Sequence, residues 1–66
     1  MKLTVNGKPV ELPDGSTVAA LLCELAVEPA RVAIERHQDV VPRGTWAEAP
    51  LADGDQIEIV TFVGGG

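Results

Sequence analysis

The sequence predicts an α+β fold, a mixed sheet of four to five strands packed on one amphipathic helix. Three observations predict it. Segments with apolar residues at every second position flank a single stretch with helical spacing. An Asn-Gly and an Asp-Gly pair sit where alternating segments must turn. The length of 66 residues allows one small domain with one core.

Residues 2–6 alternate, with Leu3 and Val5 on one face and Lys2 and Thr4 on the other, the period of a half-buried strand. Asn6-Gly7 supplies the two left-handed residues of a tight hairpin turn. The return strand covers residues 8–12, with Val10 and Leu12 facing in and Pro9 at its start or on an edge, where a missing N–H is tolerated. Pro13-Asp14-Gly15 breaks the alternation. Ser16 and Thr17 each offer an N-cap oxygen, and Val18, Leu21, Leu22 and Leu25 then follow at helical spacing. This helix of two to three turns is expected to end before Glu28-Pro29, because a residue ahead of proline is pushed out of the helical region. With one sheet face to cover, it lies on that face and closes the core.

Residues 31–36 alternate again, with Val32 and Ile34 inward, and His37-Gln38-Asp39 is a polar turn into a short strand at Val40-Val41 that Pro42 ends or places on an edge. Residues 43–50 have no clean period and read as an irregular connection with a helical turn near Trp46 and an anchor at Leu51. Asp53-Gly54 turns the chain into the last and longest strand, residues 56–62. Ile57 and Ile59 should meet the helix, while Val60 and Phe62 share the opposite parity with Glu58. Two readings of that opposite face stay open. It is either a contact surface beside the chain's end or the outer side of a central strand covered by loop residues such as Trp46. The element order is that of the β-grasp, or ubiquitin-like, fold. Residues 1–63 are expected to form the domain and residues 64–66 a flexible glycine tail.

The net charge of −5 argues against nucleic acid, whose phosphates call for a basic face. No stretch reaches membrane length, and Asn6, Gly7 and Lys8 interrupt the apolar run that a signal peptide requires. A single cysteine excludes an internal disulfide and fits a reducing compartment. The chain is therefore expected to be complete, cytoplasmic and monomeric on its own. A core this small leaves little for the walls of a substrate cleft, so the expectation is a carrier, a binding module or a subunit, and not an enzyme.

The residues that could carry chemistry point the same way. His37 has no second ligand at a metal-binding spacing and is expected to be solvated in its turn. Cys23 lies off the apolar stripe of the helix with no basic neighbour to activate it. The carboxylates are scattered, with no pair placed for acid and base work, so neither a catalytic residue nor a metal site is expected. Trp46 is expected to plug one end of the core, and Arg43 either stacks on its indole or pairs with a carboxylate. Gly64, Gly65 and Gly66 do not form a phosphate loop, because no Lys-Ser or Lys-Thr follows them. Read blandly they are a frayed terminus. Read for function they are a side-chain-free arm, reaching at most roughly 10 Å, that can enter a narrow slot in another protein. Its terminal carboxylate is ionised and a poor electrophile until converted to an acyl phosphate or acyl adenylate. Glycine leaves the acyl carbon unshielded for that step.

The element order, the Val41-Pro42-Arg43 segment followed by Trp46, the Asp53-Gly54-Asp55-Gln56-Ile57 turn and the Gly65-Gly66 end together resemble the ThiS family, the ubiquitin-like sulfur carriers of thiamine biosynthesis. The resemblance spans nearly the whole chain, and its specific part is the Val-Pro-Arg-x-x-Trp segment combined with the short length. It implies that Gly66 is adenylated with ATP by a separate activating enzyme and then receives sulfur from a cysteine-derived persulfide. The product is a C-terminal thiocarboxylate, from which thiazole synthase takes sulfur; the carrier itself binds no cofactor. Gly65 and Gly64 give the arm its flexibility, and Val60 and Phe62 help dock the carrier on its enzymes. Two departures from the family pattern stand out, the third terminal glycine Gly64 and two residues added in the turn at residues 36–39. Neither touches the chemistry. The small subunit of molybdopterin synthase is similar in fold and tail but typically longer, and a β-grasp binding module or protein modifier is the alternative from another class.

Overall fold

A computed structural model describes residues 1–62. Its elements are β1 (Lys2–Val5), β2 (Lys8–Glu11), α1 (Val18–Glu24), β3 (Val32–Arg36), β4 (Asp39–Val40) and β5 (Gln56–Thr61). The strands lie in the order β2-β1-β5-β3-β4. The central β1–β5 pair is parallel and the other pairs are antiparallel, so the predicted mixed sheet packed on one helix is borne out. Val63, predicted as the domain's last residue, and the predicted tail at residues 64–66 lie outside the described residues.

Asn6 (φ 50°) and Gly7 (φ 80°) make the left-handed hairpin turn that their types demand. The Asn6 side chain also extends the sheet. The β1–β5 ladder pairs Thr4 with Gln56 and Val5 with Ile57. One rung further on, Asn6 Oδ1 accepts from Ile59 N at 2.7 Å and Nδ2 donates to Ile59 O at 3.2 Å. At the other end Lys2 N donates to Asp53 Oδ1 at 2.7 Å, and Gly54 N to Lys2 O at 2.7 Å. Pro9 sits on edge strand β2, where its missing donor costs the ladder nothing. β2 stops at Glu11, one residue short of the prediction, although Leu12 is buried as expected.

Thr17 is the N-cap, its Oγ1 accepting from Ala20 N at 3.2 Å. The amides of Val18 and Ala19 bond to the carbonyls of Ala49 (3.1 Å) and Trp46 (3.0 Å), and Leu51 N donates to Ser16 O at 2.9 Å. Donors that would otherwise be orphaned at the helix start thus fasten the irregular connection to the domain. The helix ends at Glu24, before Glu28-Pro29 as expected, but a cap and not the proline stops it. Ala26 takes a left-handed φ of 55°. Val27 N reaches Leu22 O at 2.9 Å and Ala26 N reaches Cys23 O at 3.1 Å, the paired bonds of a Schellman cap. Residues 29–31 then form a single 3₁₀ turn, so β3 begins at Val32. The β3–β4 hairpin turns on His37 (φ 50°) and Gln38 (φ 71°) without a glycine, and β4 is Asp39–Val40, one residue earlier than predicted.

The core comprises Leu3, Val5, Leu12, Val18, Leu21, Leu22, Val32, Ile34, Trp46, Leu51 and Ile57. Trp46 is the plug its type suggests, with Nε1 donating to Val41 O at 2.9 Å. Arg43 takes the first of its two predicted options. Its guanidinium carbon lies 4.5 Å from the indole centroid, and its nitrogens donate to Pro29 O (2.6 Å) and Val32 O (2.7 Å).

Among the described residues Asp55 is the buried charged side chain, with 4% of its surface exposed. Its Oδ2 accepts from Ala52 N at 2.8 Å, and Arg36 Nε lies 2.9 Å from the same oxygen, an ion pair outside hydrogen-bond geometry. Its Oδ1 faces His37 Nε2 at 3.1 Å. A carboxylate can only accept, so this ring nitrogen carries the proton. The expectation of a merely solvated His37 is therefore corrected. The ring is half-exposed, but it helps Arg36 hold Asp55 at the mouth of β5. Burial pushes the Asp55 carboxyl up, and the Ala52 amide, His37 and Arg36 together outweigh it and hold the carboxyl below its ordinary value.

Two predictions follow from these local structures. Replacing Ala26 with glycine removes a left-handed penalty and should raise unfolding stability by roughly 0.5–1 kcal/mol in a denaturant titration. For Asp55, the lowered folded pKa means that the unfolded chain binds more protons on acidification. Its contribution is complete above about pH 4 and is lost as pH falls through the folded value. Asp55→Asn should therefore lower stability at neutral pH by roughly 1–3 kcal/mol and flatten the acid side of a stability-against-pH profile. Arg36 is partly open to water and can rehydrate, which keeps the loss below that of a fully buried pair.

Candidate functional site

Strand β5 fixes the geometry of the candidate site. Between β1 and β3 it directs Ile57 and Ile59 at the core and Glu58, Val60 and Phe62 to the opposite face. Val60 is 46% exposed and Phe62 50% exposed. The strand is central, and its outer face is nonetheless uncovered, because Trp46 lies in the core on the helix side. Of the two readings left open by the sequence, cover by Trp46 is not what the structure has, and the face is open. Although β5 closes at Thr61, Phe62 N still donates to Arg31 O at 2.8 Å, which fixes the residue at the sheet's end.

The register adds residues that the sequence did not single out. Ala33 pairs with Val60, Glu35 with Glu58, and Glu35 also with Val40. Val40 is 69% exposed, so Val40, Val60 and Phe62 share one face of the sheet. Once the His37-Gln38 turn is placed, the strand period assigns Val40 to that face, but without a glycine the turn carries little sequence signal.

The other candidates fall elsewhere. Cys23 is exposed on α1, away from this face. Among the described residues no group of three His, Cys, Asp or Glu could hold a metal ion. No helix among them is long and apolar enough to cross a membrane. An open hollow of about 340 Å³ is lined by Arg36, His37, Asp39, Val40, Val41 and Pro42; the basic groups there are already engaged by Asp55. Gly64, Gly65 and Gly66, predicted to carry the chemistry, lie outside the described residues. The arrangement leaves an exposed apolar face on β5, the last strand among the described residues.

Comparison with known proteins places this geometry. The chain is 46% identical over 66 residues to a thiazole synthase of Paramagnetospirillum magneticum, a match that covers all of the chain and 20% of the relative. The chain thus spans about a fifth of the length of the first curated relatives it matches. It is 40% identical over 65 residues to the sulfur carrier protein ThiS of Bacillus subtilis, covering 97% of the chain and 98% of the relative. The crystal structure of the thiamine biosynthesis protein ThiS from Geobacter metallireducens superposes with a TM-score of 0.85 at 36% identity, over the full length of both chains. The ThiS family model matches residues 3–66. By sequence over nearly its whole length and by fold, this chain belongs to the ThiS family.

Proposed function

We propose that the chain carries sulfur on its C-terminal Gly66 for the construction of the thiamine thiazole ring. The observation that carries the reading is that the family match runs to residue 66 and so includes the Gly65-Gly66 end. A separate activating enzyme adenylates the Gly66 carboxylate with ATP and releases pyrophosphate. The terminal sulfur of a cysteine-derived persulfide then attacks the acyl carbon and AMP leaves. A thiol reduces the resulting S–S bond, and the thiocarboxylate is freed. Thiazole synthase is the acceptor in this reading, supported by relatives of that name containing a segment similar to this whole chain. Gly64 and Gly65 let the arm enter both enzymes, Val60 and Phe62 dock the domain outside, and the cytoplasm is the compartment. The carrier is a co-substrate in this scheme, with ATP bound by its partner.

Co-expression with the activating enzyme followed by intact-mass measurement tests the reading. The expected product has one oxygen replaced by sulfur, whereas an unmodified chain would sink the carrier function and a stable isopeptide adduct would favour a protein modifier. Deleting Gly66 should abolish that mass change and leave the thermal melt unaltered, since the core lies within residues 3–57. Phe62→Asp should weaken binding to the activating enzyme by at least about tenfold, the order expected for an interface anchor, while shifting stability by less than about 1 kcal/mol because the ring is half-exposed. Unchanged binding with a collapsed melt would instead make Phe62 a core residue.

A further inference from the structure

We infer that the open sheet face receives a basic side chain of the activating enzyme, an arginine by preference, between Glu35 and Glu58, flanked by Val40 and Val60 with Phe62 further along the strand. The inference deepens the carrier reading and rests on it for the partner's identity. The register sets Glu35 directly opposite Glu58 on the outer face. The bonds His37 N to Gln56 O and Phe62 N to Arg31 O fix which rungs of this ladder are hydrogen-bonded, and the Glu35–Glu58 rung is one of them. Their Cα atoms are therefore about 5.5 Å apart. Like charges directly opposite each other in a sheet destabilise it.

Among the described residues no cation of the domain is paired with either carboxylate, and neither Lys2 nor Lys8 forms an ion pair with them. Arg36 is held by Asp55, Arg31 by Glu28 at 3.2 Å, and Arg43 lies over Trp46. Val40 and Val60 flank the same pair, and Phe62 lies one same-face position further along the strand. Val40 is the cross-strand neighbour of Glu35, and Val60 and Phe62 continue the outer parity of Glu58. A planar guanidinium with five donors can bond two carboxylates at once, which a compact ammonium does less well. An apolar surround excludes water and strengthens the contact. Charge complementarity thus favours a partner face with arginine at its centre and apolar side chains around it.

The test uses the full chain and the activating enzyme, with binding and thiocarboxylate formation measured for Glu35→Lys, Glu58→Lys and, as a control of equal charge change, Glu48→Lys on the exposed connection. Reversal at Glu35 or Glu58 should weaken binding at least about tenfold through like-charge juxtaposition. The melting temperature should hold or rise, because each reversal removes the internal repulsion, and Glu48→Lys should bind within about twofold of the parent if only long-range, salt-screened attraction is altered. Should a reversal fail to fold, the double Glu35→Gln, Glu58→Gln variant, which keeps both shapes, should still bind several-fold more weakly and show a flatter salt dependence. Parent-like binding by the folded variants, or losses no larger than that of Glu48→Lys, would overturn the inference alone. An unmodified parent chain would overturn the carrier reading and this inference with it.

Discussion

Strand β5 is bonded to parallel β1 on one side and to antiparallel β3 on the other, and neither pairing survives without it. Its register is consequently the constraint on which the remaining structure depends. A slip of one residue would carry Ile57 and Ile59 to solvent and bring Glu58 and Val60 against the helix. Burial of Ile57 against Leu21, Leu22 and Ile34 makes that slip costly. The same parity that builds the core therefore determines which side chains face outward beside the C-terminus.

Local polar side chains reinforce this register at both ends. Only two backbone pairs connect β1 with β5, a short ladder for the centre of a sheet. Asp53 extends it below by accepting from Lys2 N, and Asn6 extends it above by offering Ile59 both an acceptor and a donor. Asp55, between these contacts, fastens the start of β5 to the end of β3 through Arg36 and His37. The β5 strand is thus tied along its length by groups that belong to turns. A small domain with no disulfide gains specificity this way without enlarging its core.

Features governed by neighbouring residues were legible in the sequence. The Asn6-Gly7 and Asp53-Gly54 turns, the Thr17 cap and the inward sets Leu3/Val5, Leu21/Leu22 and Val32/Ile34 depend on local chemistry or on a short period, and each is found in place. Features that depend on tertiary contact were not. Asp55 resembles any other carboxylate until folding brings Arg36 and His37 to it from another hairpin. Ala26 and the His37-Gln38 pair adopt left-handed conformations that their residue types do not announce, so the cap that stops the helix was not legible and the short β4 strand lies one residue earlier than its pattern suggests. Arg43 stacks on Trp46 and bonds carbonyls of a distant turn, a choice between partners that spacing could not make. On the candidate site, parity exposed Val60 and Phe62, while Val40 and the facing of Glu35 by Glu58 needed the strand order.

One helix of seven residues cannot cover both faces of a five-stranded sheet, so an open face is a geometric consequence of the chain's size. Its residues are not dictated in the same way. Within one small molecule, carboxylates receive opposite treatment. Asp55 is buried only with an amide, an arginine and a histidine around it, as desolvation requires. Glu35 and Glu58 oppose each other with no cation of the described residues paired to them, among the largest apolar side chains that those residues leave to solvent. Folding alone would be served better by a threonine at either position, because β-branched residues suit an outer strand face and carry no charge to repel. An arrangement unfavourable to the isolated domain but complementary to an apolar surface bearing arginine makes sense if the bound state is the one that matters. In the proposed scheme it would also give a partner enzyme a means to select the chain by charge.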